Sequence, residues 1–176
     1  MKREKVLWQL AGLVSTIVLG TILHFLYEWT SLAAFAPFSA VNESTWEHMK
    51  IFFFPTFLFA IVQGFFFVKY YPNYWWIKLL GILLGTLLIP TLFYTYNGAF
   101  GKSPDWLNIL FFFLSAFAAY FVEFLLLKEG EVKNDSQIFP VILLSLIASA
   151  FIICTVYPPK LPLFQDPIGK FYGLKK

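Results

Sequence analysis

The chain has 176 residues, of which 59% are hydrophobic, 22% are aromatic and only 13% are charged. Soluble domains carry about 25% charged residues, and the net charge of +3 comes from basic residues scattered along the chain. This composition excludes a soluble enzyme, a disordered chain and a nucleic-acid-binding protein, and it predicts a polytopic membrane protein.

Five apolar stretches are long enough to cross a bilayer as helices, which needs about 20 residues each. They cover 6–29, 49–68, 76–96, 106–127 and 138–157. Helices are expected because the hydrocarbon core cannot satisfy unpaired backbone groups. The sequence therefore predicts an all-α transmembrane bundle of five spans over 1–157, followed by a C-terminal tail over 158–176.

Lysine and arginine residues are distributed unevenly over the connections between these helices. The side of the N-terminus carries Lys2, Arg3, Lys5, Lys69, Lys78, Lys128 and Lys133. The opposite side carries Lys50 and Lys102 in loops, and Lys160, Lys170, Lys175 and Lys176 in the tail. Because short loops rich in lysine and arginine stay in the cytoplasm, the N-terminus is predicted to be cytoplasmic and the tail to be outside.

The first helix carries a stripe of small and polar residues at a spacing of four. The stripe consists of Gly12, Thr16, Gly20, His24 and Glu28. Residues four apart share one face of a helix, and small residues let another backbone approach closely. The stripe is expected to face the bundle and to turn His24 and Glu28 inward at the outer end.

A polar segment over 37–50 enters the second helix and holds the second histidine. Ser44 and Glu47 have the S-x-x-E spacing of a capping box, with Ser44 as the N-cap. That register brings together the residue before the cap and the fourth residue of the helix, so Glu43 is predicted to lie beside His48. A purely structural role would account for both acids of this segment.

Ionisable residues of the first two helices are therefore expected to converge at the outer face. Such groups are costly at membrane depth and indicate a functional site by default. The predicted ligand-binding set is His24, Glu28, Asn42, Glu43, Glu47, His48, Asn97 and Asp166. Two histidines with carboxylates suit zinc or a similar divalent ion, with His24, Glu28 and His48 as candidate ligands. A hydrogen-bonded pocket without a metal ranks slightly above metal binding.

Two further regions carry structural predictions. Glu123, near the cytoplasmic end of the fourth helix, is expected to pair with Lys78 or Lys128. Four prolines prevent a helix over 157–173, yet this tail is too apolar to extend freely into water. The tail is predicted to lie extended across the outer mouth, with Phe164 tucked in and Asp166 facing the polar residues. A surface-lying or partly disordered tail is the alternative.

The segment 37–50, with His-Phe-Leu-Tyr-Glu-Trp over 24–29 and Pro-Leu-Phe-Gln-Asp-Pro over 162–167, resembles an uncharacterised family. The family comprises small multi-pass membrane proteins from Gram-positive bacteria that contain a domain of unknown function. The resemblance covers nearly the whole chain. It implies only a bacterial integral membrane protein, and it supplies no activity and no catalytic residue. The expected location is the plasma membrane.

Three functions fit these observations. The first is a membrane protein of the binding or transport type, whose outer pocket holds a small ligand or ion. The second is an intramembrane metal-assisted hydrolase acting on lipid or envelope substrates, with Glu43 or Glu47 as general base. The third is a structural or assembly subunit. The expected partners are the lipid bilayer and either a small ligand or another membrane protein, with no nucleic acid.

Overall fold

The computed structural model describes residues 2–128, 130 and 137–174, and its long elements there are five α-helices. They are α1 (Lys2–Thr30), α2 (Thr45–Phe67), α3 (Tyr74–Phe100), α4 (Asp105–Leu126) and α5 (Ile138–Val156). Each is long and apolar enough to cross a membrane, which confirms the predicted all-α fold with five such helices. Lys133, Lys175 and Lys176, which entered the orientation prediction, lie outside the described residues.

The helix ends follow local chain chemistry rather than the limits of the apolar stretches. The helix α1 stops where Ser31 adopts a left-handed conformation with a φ of 52°. The helix α2 begins a turn earlier than predicted because the Ser44 hydroxyl accepts a hydrogen bond from the Glu47 backbone N–H at 3.4 Å. The helix α3 runs a turn further than predicted, to Phe100, and the next residue, Gly101, ends it with a φ of 85°.

The helix α2 contacts each of the other four helices. Helices α1, α2, α3 and α4 form a ring in which each contacts the next and α4 contacts α1. The helix α5 packs against α2 and α3. The buried core includes Phe52, Phe53, Ala60, Ile82, Ala116, Ala119, Leu144 and Phe151.

Small residues at the helix crossings permit this close packing. The fully buried ring of Phe52 lies directly over Gly85 of α3, where a Cβ atom would overlap two ring atoms and lie 3.1 Å from a third. In α1, a Cβ atom at Gly20 would lie 3.1 Å from the backbone carbonyl oxygen of Ile51. Gly12, Thr16 and Gly20 are buried, so the small-residue stripe of α1 does face the bundle.

A buried ion pair joins α3 to α4 near the end of the bundle opposite the 37–50 segment. The Nζ atom of Lys78 lies 2.5 Å from Oε2 of Glu123, and both side chains are fully buried. The predicted pairing of Glu123 is thus made with Lys78 and not with Lys128. Because Lys78 and Lys50 are both buried in helices, neither counts as a loop charge, and the orientation prediction must be corrected for them.

Replacing Gly85 with alanine should destabilise the bundle, because the Phe52 ring is fully buried in the core and must shift to admit a Cβ atom. Overpacking of this kind costs about 1–3 kcal/mol. The matched control is Gly98→Ala in the same helix, where a Cβ atom meets nothing within 4 Å. Thermal unfolding in detergent should show a lower Tm for Gly85→Ala only; equal Tm values would contradict the packing described here.

Candidate functional site

The connection between α1 and α2 folds back along the last turns of α1. The Ser39 hydroxyl donates to the Leu23 carbonyl at 2.5 Å and accepts from the Tyr27 backbone N–H at 2.9 Å. The backbone N–H of Ala40 donates to the same Leu23 carbonyl at 3.0 Å. These bonds satisfy carbonyl and amide groups near the helix end, and they bring the following residues opposite His24.

His24, Glu43 and His48 form a compact group, here called the His–Glu cluster. Oε2 of Glu43 lies 3.6 Å from Nε2 of His24 and 3.6 Å from Nε2 of His48. One nitrogen or oxygen atom from each side chain lies within 4.8 Å of the other two. The predicted contact between Glu43 and His48 is therefore present, and His24 joins it from α1.

The hydrogen bonding of His48 fixes which of its ring nitrogens carries a proton. Nδ1 lies 2.9 Å from the Ser44 carbonyl oxygen, which can only accept, so Nδ1 is the donor. In the neutral ring, Nε2 then presents a lone pair towards the carboxylate oxygen of Glu43. Two such atoms repel each other unless a proton or a metal ion lies between them.

The distances within the His–Glu cluster can be compared with those expected for each of these two cations. A hydrogen bond from a ring N–H to a carboxylate is about 2.7–3.2 Å long, shorter than the 3.6 Å separations found here. Ligand atoms that share a tetrahedral zinc ion, with bonds of about 2.0–2.2 Å, lie roughly 3.3–3.6 Å apart. The Nδ1 bond of His48 to a backbone carbonyl is also the usual way of orienting a metal-binding histidine.

The C-terminal tail holds the backbone of Glu43. Oδ2 of Asp166 accepts from the Glu43 N–H at 3.0 Å, and its Oδ1 accepts from the N–H groups of Ile168 and Gly169. Burial alone would raise the pKa of Asp166, but these three N–H groups and nearby Lys170 hold the pKa below its usual value.

Two further contacts fix the tail beside the His–Glu cluster. The Asn42 side-chain amide donates to the Gly173 carbonyl at 2.9 Å. Phe164 is buried, and its ring centroid lies 4.5 Å from that of Trp46 in α2. Asn42 and Asp166 were both predicted as ligand-binding residues. Asn42 instead binds the tail, and Asp166, which belongs to the tail, binds the backbone of Glu43.

Glu47, also predicted for the site, belongs instead to a separate buried ion pair. Its Oε2 lies 2.5 Å from Nζ of Lys50 and accepts from the Val41 N–H at 3.1 Å. The same Nζ donates to the Ala36 carbonyl and the Thr155 hydroxyl, each at 2.9 Å. Because this carboxylate is already bound, the geometry does not support Glu47 as a general base or as a ligand.

Two other predicted residues lie outside the His–Glu cluster. Glu28 is exposed, one helical turn beyond His24, and is not among the three ligand side chains brought together. Asn97 closes the turn between α3 and α4, where its Oδ1 accepts from the Ser103 N–H at 2.9 Å. Sequence reasoning missed the role of Lys50, although its position three residues after Glu47 was a usable signal.

The protein is all-helical, and its five long apolar helices indicate a multi-pass membrane protein. The His–Glu cluster lies at one end of this bundle. The chain belongs to the Family of unknown function (DUF6512), whose family model matches residues 1–174. Membership of a family of unknown function agrees with the resemblance seen in the sequence. No curated protein and no solved structure matches the chain.

Replacing Glu47 with glutamine should destabilise the protein, since it leaves the buried Lys50 ammonium without its carboxylate partner. Breaking a buried ion pair costs about 3–5 kcal/mol. In thermal unfolding, the double variant Glu47→Gln/Lys50→Met should lose less stability than the sum of the two single variants. If the stability lost in the double variant equals the sum of the losses in the two single variants, the two residues do not interact as described.

The tail should loosen at acidic pH. Because docking lowers the pKa of Asp166, the stabilisation is complete above the ordinary aspartate pKa of about 4 and is lost as the pH falls through the lowered value. Hydrogen-exchange protection factors of the Ile168 and Gly169 amides should fall below about pH 4. In Asp166→Asn these amides should be poorly protected at all pH values; full protection at neutral pH would oppose this role.

Proposed function

We propose that the chain is a multi-pass plasma-membrane protein that binds a divalent metal ion of the zinc type at the His–Glu cluster. The observation that carries the proposal is the position of one Glu43 oxygen, 3.6 Å from Nε2 of each histidine. Glu43 thereby takes the third ligand position that the sequence assigned to Glu28. The proposed ligands are His24, Glu43 and His48.

The chemistry of the three side chains favours zinc over the hard cations. Imidazole nitrogens suit zinc and its transition-metal neighbours, whereas calcium and magnesium prefer sites made of oxygen ligands. Three protein ligands leave a fourth coordination position open for water or another ligand. The histidine side chains are 25% exposed and that of Glu43 is 46% exposed, so solvent can reach this position.

The cavity beside the tail is too small for most organic ligands, and none of its lining residues belongs to the His–Glu cluster. The cavity between the tail and the end of α3 has a volume of about 130 Å³. Thr45, Tyr94, Gln165 and Lys170 are among its lining residues. Pockets for organic ligands usually measure about 300–1,000 Å³. This space can hold water or a small anion, and the His–Glu cluster supplies the ligands for a cation.

The remaining basic residues support an outer location of the His–Glu cluster. Arg3, Lys5, Lys69 and Lys128 lie on the side of the N-terminus after Lys78 is set aside. On the other side, the short connection between α3 and α4 has only Lys102, and Lys160 and Lys170 lie in the tail and not in a short loop. Positive residues in short loops favour the cytoplasm, so the N-terminus is proposed to be cytoplasmic and the His–Glu cluster to face outward.

Metal analysis of the purified protein tests the proposal. We expect about one zinc ion per chain in the unaltered protein, and loss of that ion in His24→Ala, His48→Ala and Glu43→Gln. Cobalt substitution should give the visible spectrum of a tetrahedral Co²⁺ site. Glu28→Gln is the matched control, because it removes a carboxylate from the same end of α1 and should retain the ion.

Two results would overturn the proposal. One is a protein that takes up neither zinc nor cobalt during titration while its tertiary structure is intact. The other is uptake that is unchanged in all three ligand variants. If these variants instead lower the Tm without any metal having been bound, the cluster is a stabilising network, as expected of an assembly subunit.

The open coordination position favours a second candidate, a metal-assisted hydrolase acting on lipid or envelope substrates. A metal-bound water needs a nearby base, and Glu28 is an exposed carboxylate one turn from His24. In that case Glu28→Gln would retain zinc and abolish hydrolysis of ester substrates presented in vesicles. A metal-loaded protein that hydrolyses none of these esters would leave metal binding as the preferred function.

A further inference from the structure

The three proposed metal ligands differ in how firmly their backbones are held. His24 lies within α1 and His48 lies within α2, so helical hydrogen bonds fix the backbone at both positions. Glu43 lies in the non-helical connection, just before the N-cap residue Ser44. Ligands on loops are held less precisely than ligands on helices, so the position of Glu43 depends on support from outside α1 and α2.

The C-terminal tail supplies this support from a closed turn. The backbone N–H of Asp166 donates to the Phe171 carbonyl at 2.9 Å, and the N–H of Lys170 donates to the Asp166 carbonyl at 3.0 Å. An antiparallel bridge pairs Gln165 with Tyr172 beside these bonds. The Asp166 side chain, which is only 5% exposed, is therefore presented by an ordered turn and not by an extended segment.

The tail holds both Glu43 and the residue before it. The carboxylate of Asp166 accepts from the Glu43 N–H at 3.0 Å. The Asn42 side chain donates from Nδ2 to the Gly173 carbonyl, while its Oδ1 accepts from the Ser44 N–H at 2.8 Å. One amide thus joins the N-cap of α2 to the tail. Asn42 and Ser44 are buried, and the exposed side chain of Glu43 between them is directed to the two histidines.

An apolar contact anchors the same tail to α2. Phe164 is buried, and its ring packs on Trp46, whose own ring centroid lies 4.5 Å from that of Phe151 in α5. This contact contains no charged group. Removing it would loosen the tail without changing the charge near the His–Glu cluster, whereas removing Asp166 would change both.

We propose that the tail regulates the metal site, with Asp166 as the residue that positions Glu43. This inference rests on the proposed function, because it concerns the ion held by His24, Glu43 and His48. A docked tail holds the Glu43 backbone where the carboxylate meets both histidines, and an undocked tail leaves the third ligand mobile. Zinc binding and tail docking therefore strengthen each other by a common factor. Outer partners of metal ligands typically change affinity by about 10–100-fold.

Hydrogen exchange in the unaltered full chain tests the inference. Zinc uptake and the protection of the Ile168 and Gly169 amides are measured in the same detergent samples, with and without zinc. We expect saturating zinc to raise the two protection factors by up to about 10–100-fold. In His24→Ala, which lacks one ligand, zinc should leave both factors unchanged. A tail with a purely structural role would give equal protection with and without zinc.

Full-chain variants measure the effect in the other direction. Asp166→Asn removes the carboxylate that holds Glu43, and Phe164→Ala loosens the tail without changing any charge. Both should weaken zinc binding by about 10–100-fold in a competition titration with a chelator. Ile168→Ala is the matched control, because its side chain is 77% exposed in the same turn and its backbone N–H is retained. Glu28→Gln controls for the loss of one negative charge.

The results separate failure of this inference from failure of the proposed function. Zinc that binds without raising the protection of the tail amides would overturn the coupling and leave the metal site in place. Equal zinc affinity in Asp166→Asn, Phe164→Ala and Ile168→Ala would do the same. An unaltered protein that takes up no zinc would overturn both proposals. If a variant fails to fold, the comparison with and without zinc still decides, because it needs only the unaltered chain.

Discussion

The hydrogen bonds and ion pair of the buried Lys50 ammonium group are the interactions on which the end of the molecule that carries the His–Glu cluster depends. This group binds Glu47 within α2, the Ala36 carbonyl in the preceding connection and the Thr155 hydroxyl of α5. A charge buried in this way is tolerated only when its hydrogen bonds are satisfied, so these three segments must adopt one relative position. That position includes the fold-back of the connection along α1, which carries Glu43 to His24.

The need to compensate a buried charge also distinguishes the two buried ion pairs from the His–Glu cluster. Within the described residues, the carboxylates of Glu47 and Glu123 each meet one lysine at 2.5 Å, which neutralises each buried pair. The His–Glu cluster is different, because its two N–O separations exceed hydrogen-bond length and Nδ1 of His48 already faces a backbone carbonyl, which leaves Nε2 towards the carboxylate. In those pairs the two opposite charges balance, whereas a bound cation would stabilise the arrangement of the His–Glu cluster. The contrast is the physical basis for placing the candidate site here.

Local patterns in the sequence were sufficient to predict much of this arrangement. Apolar stretches of spanning length gave the five helices, and the S-x-x-E spacing gave the contact of Glu43 with His48. What the sequence could not provide was the partner of each acid across the fold. Glu28 shares a helix face with His24, yet the connection delivers Glu43 to that histidine and leaves Glu28 exposed. Asn97 lies at the same end of the bundle, but its own turn takes up its amide group.

Docking of the C-terminal tail is coupled to the proposed metal site through Glu43. Asp166 holds the backbone N–H of Glu43, while the side chain of Glu43 would bind the ion, so docking of the tail restricts the position of a ligand. Linkage is reciprocal: if a docked tail raises affinity for the ion, the bound ion must favour docking by the same factor. Low pH weakens both ion binding and tail docking. Protons compete with the metal for the histidines, and they also neutralise Asp166. The two ends of this coupling meet in one residue, Glu43, which binds the tail through its backbone and the histidines through its side chain.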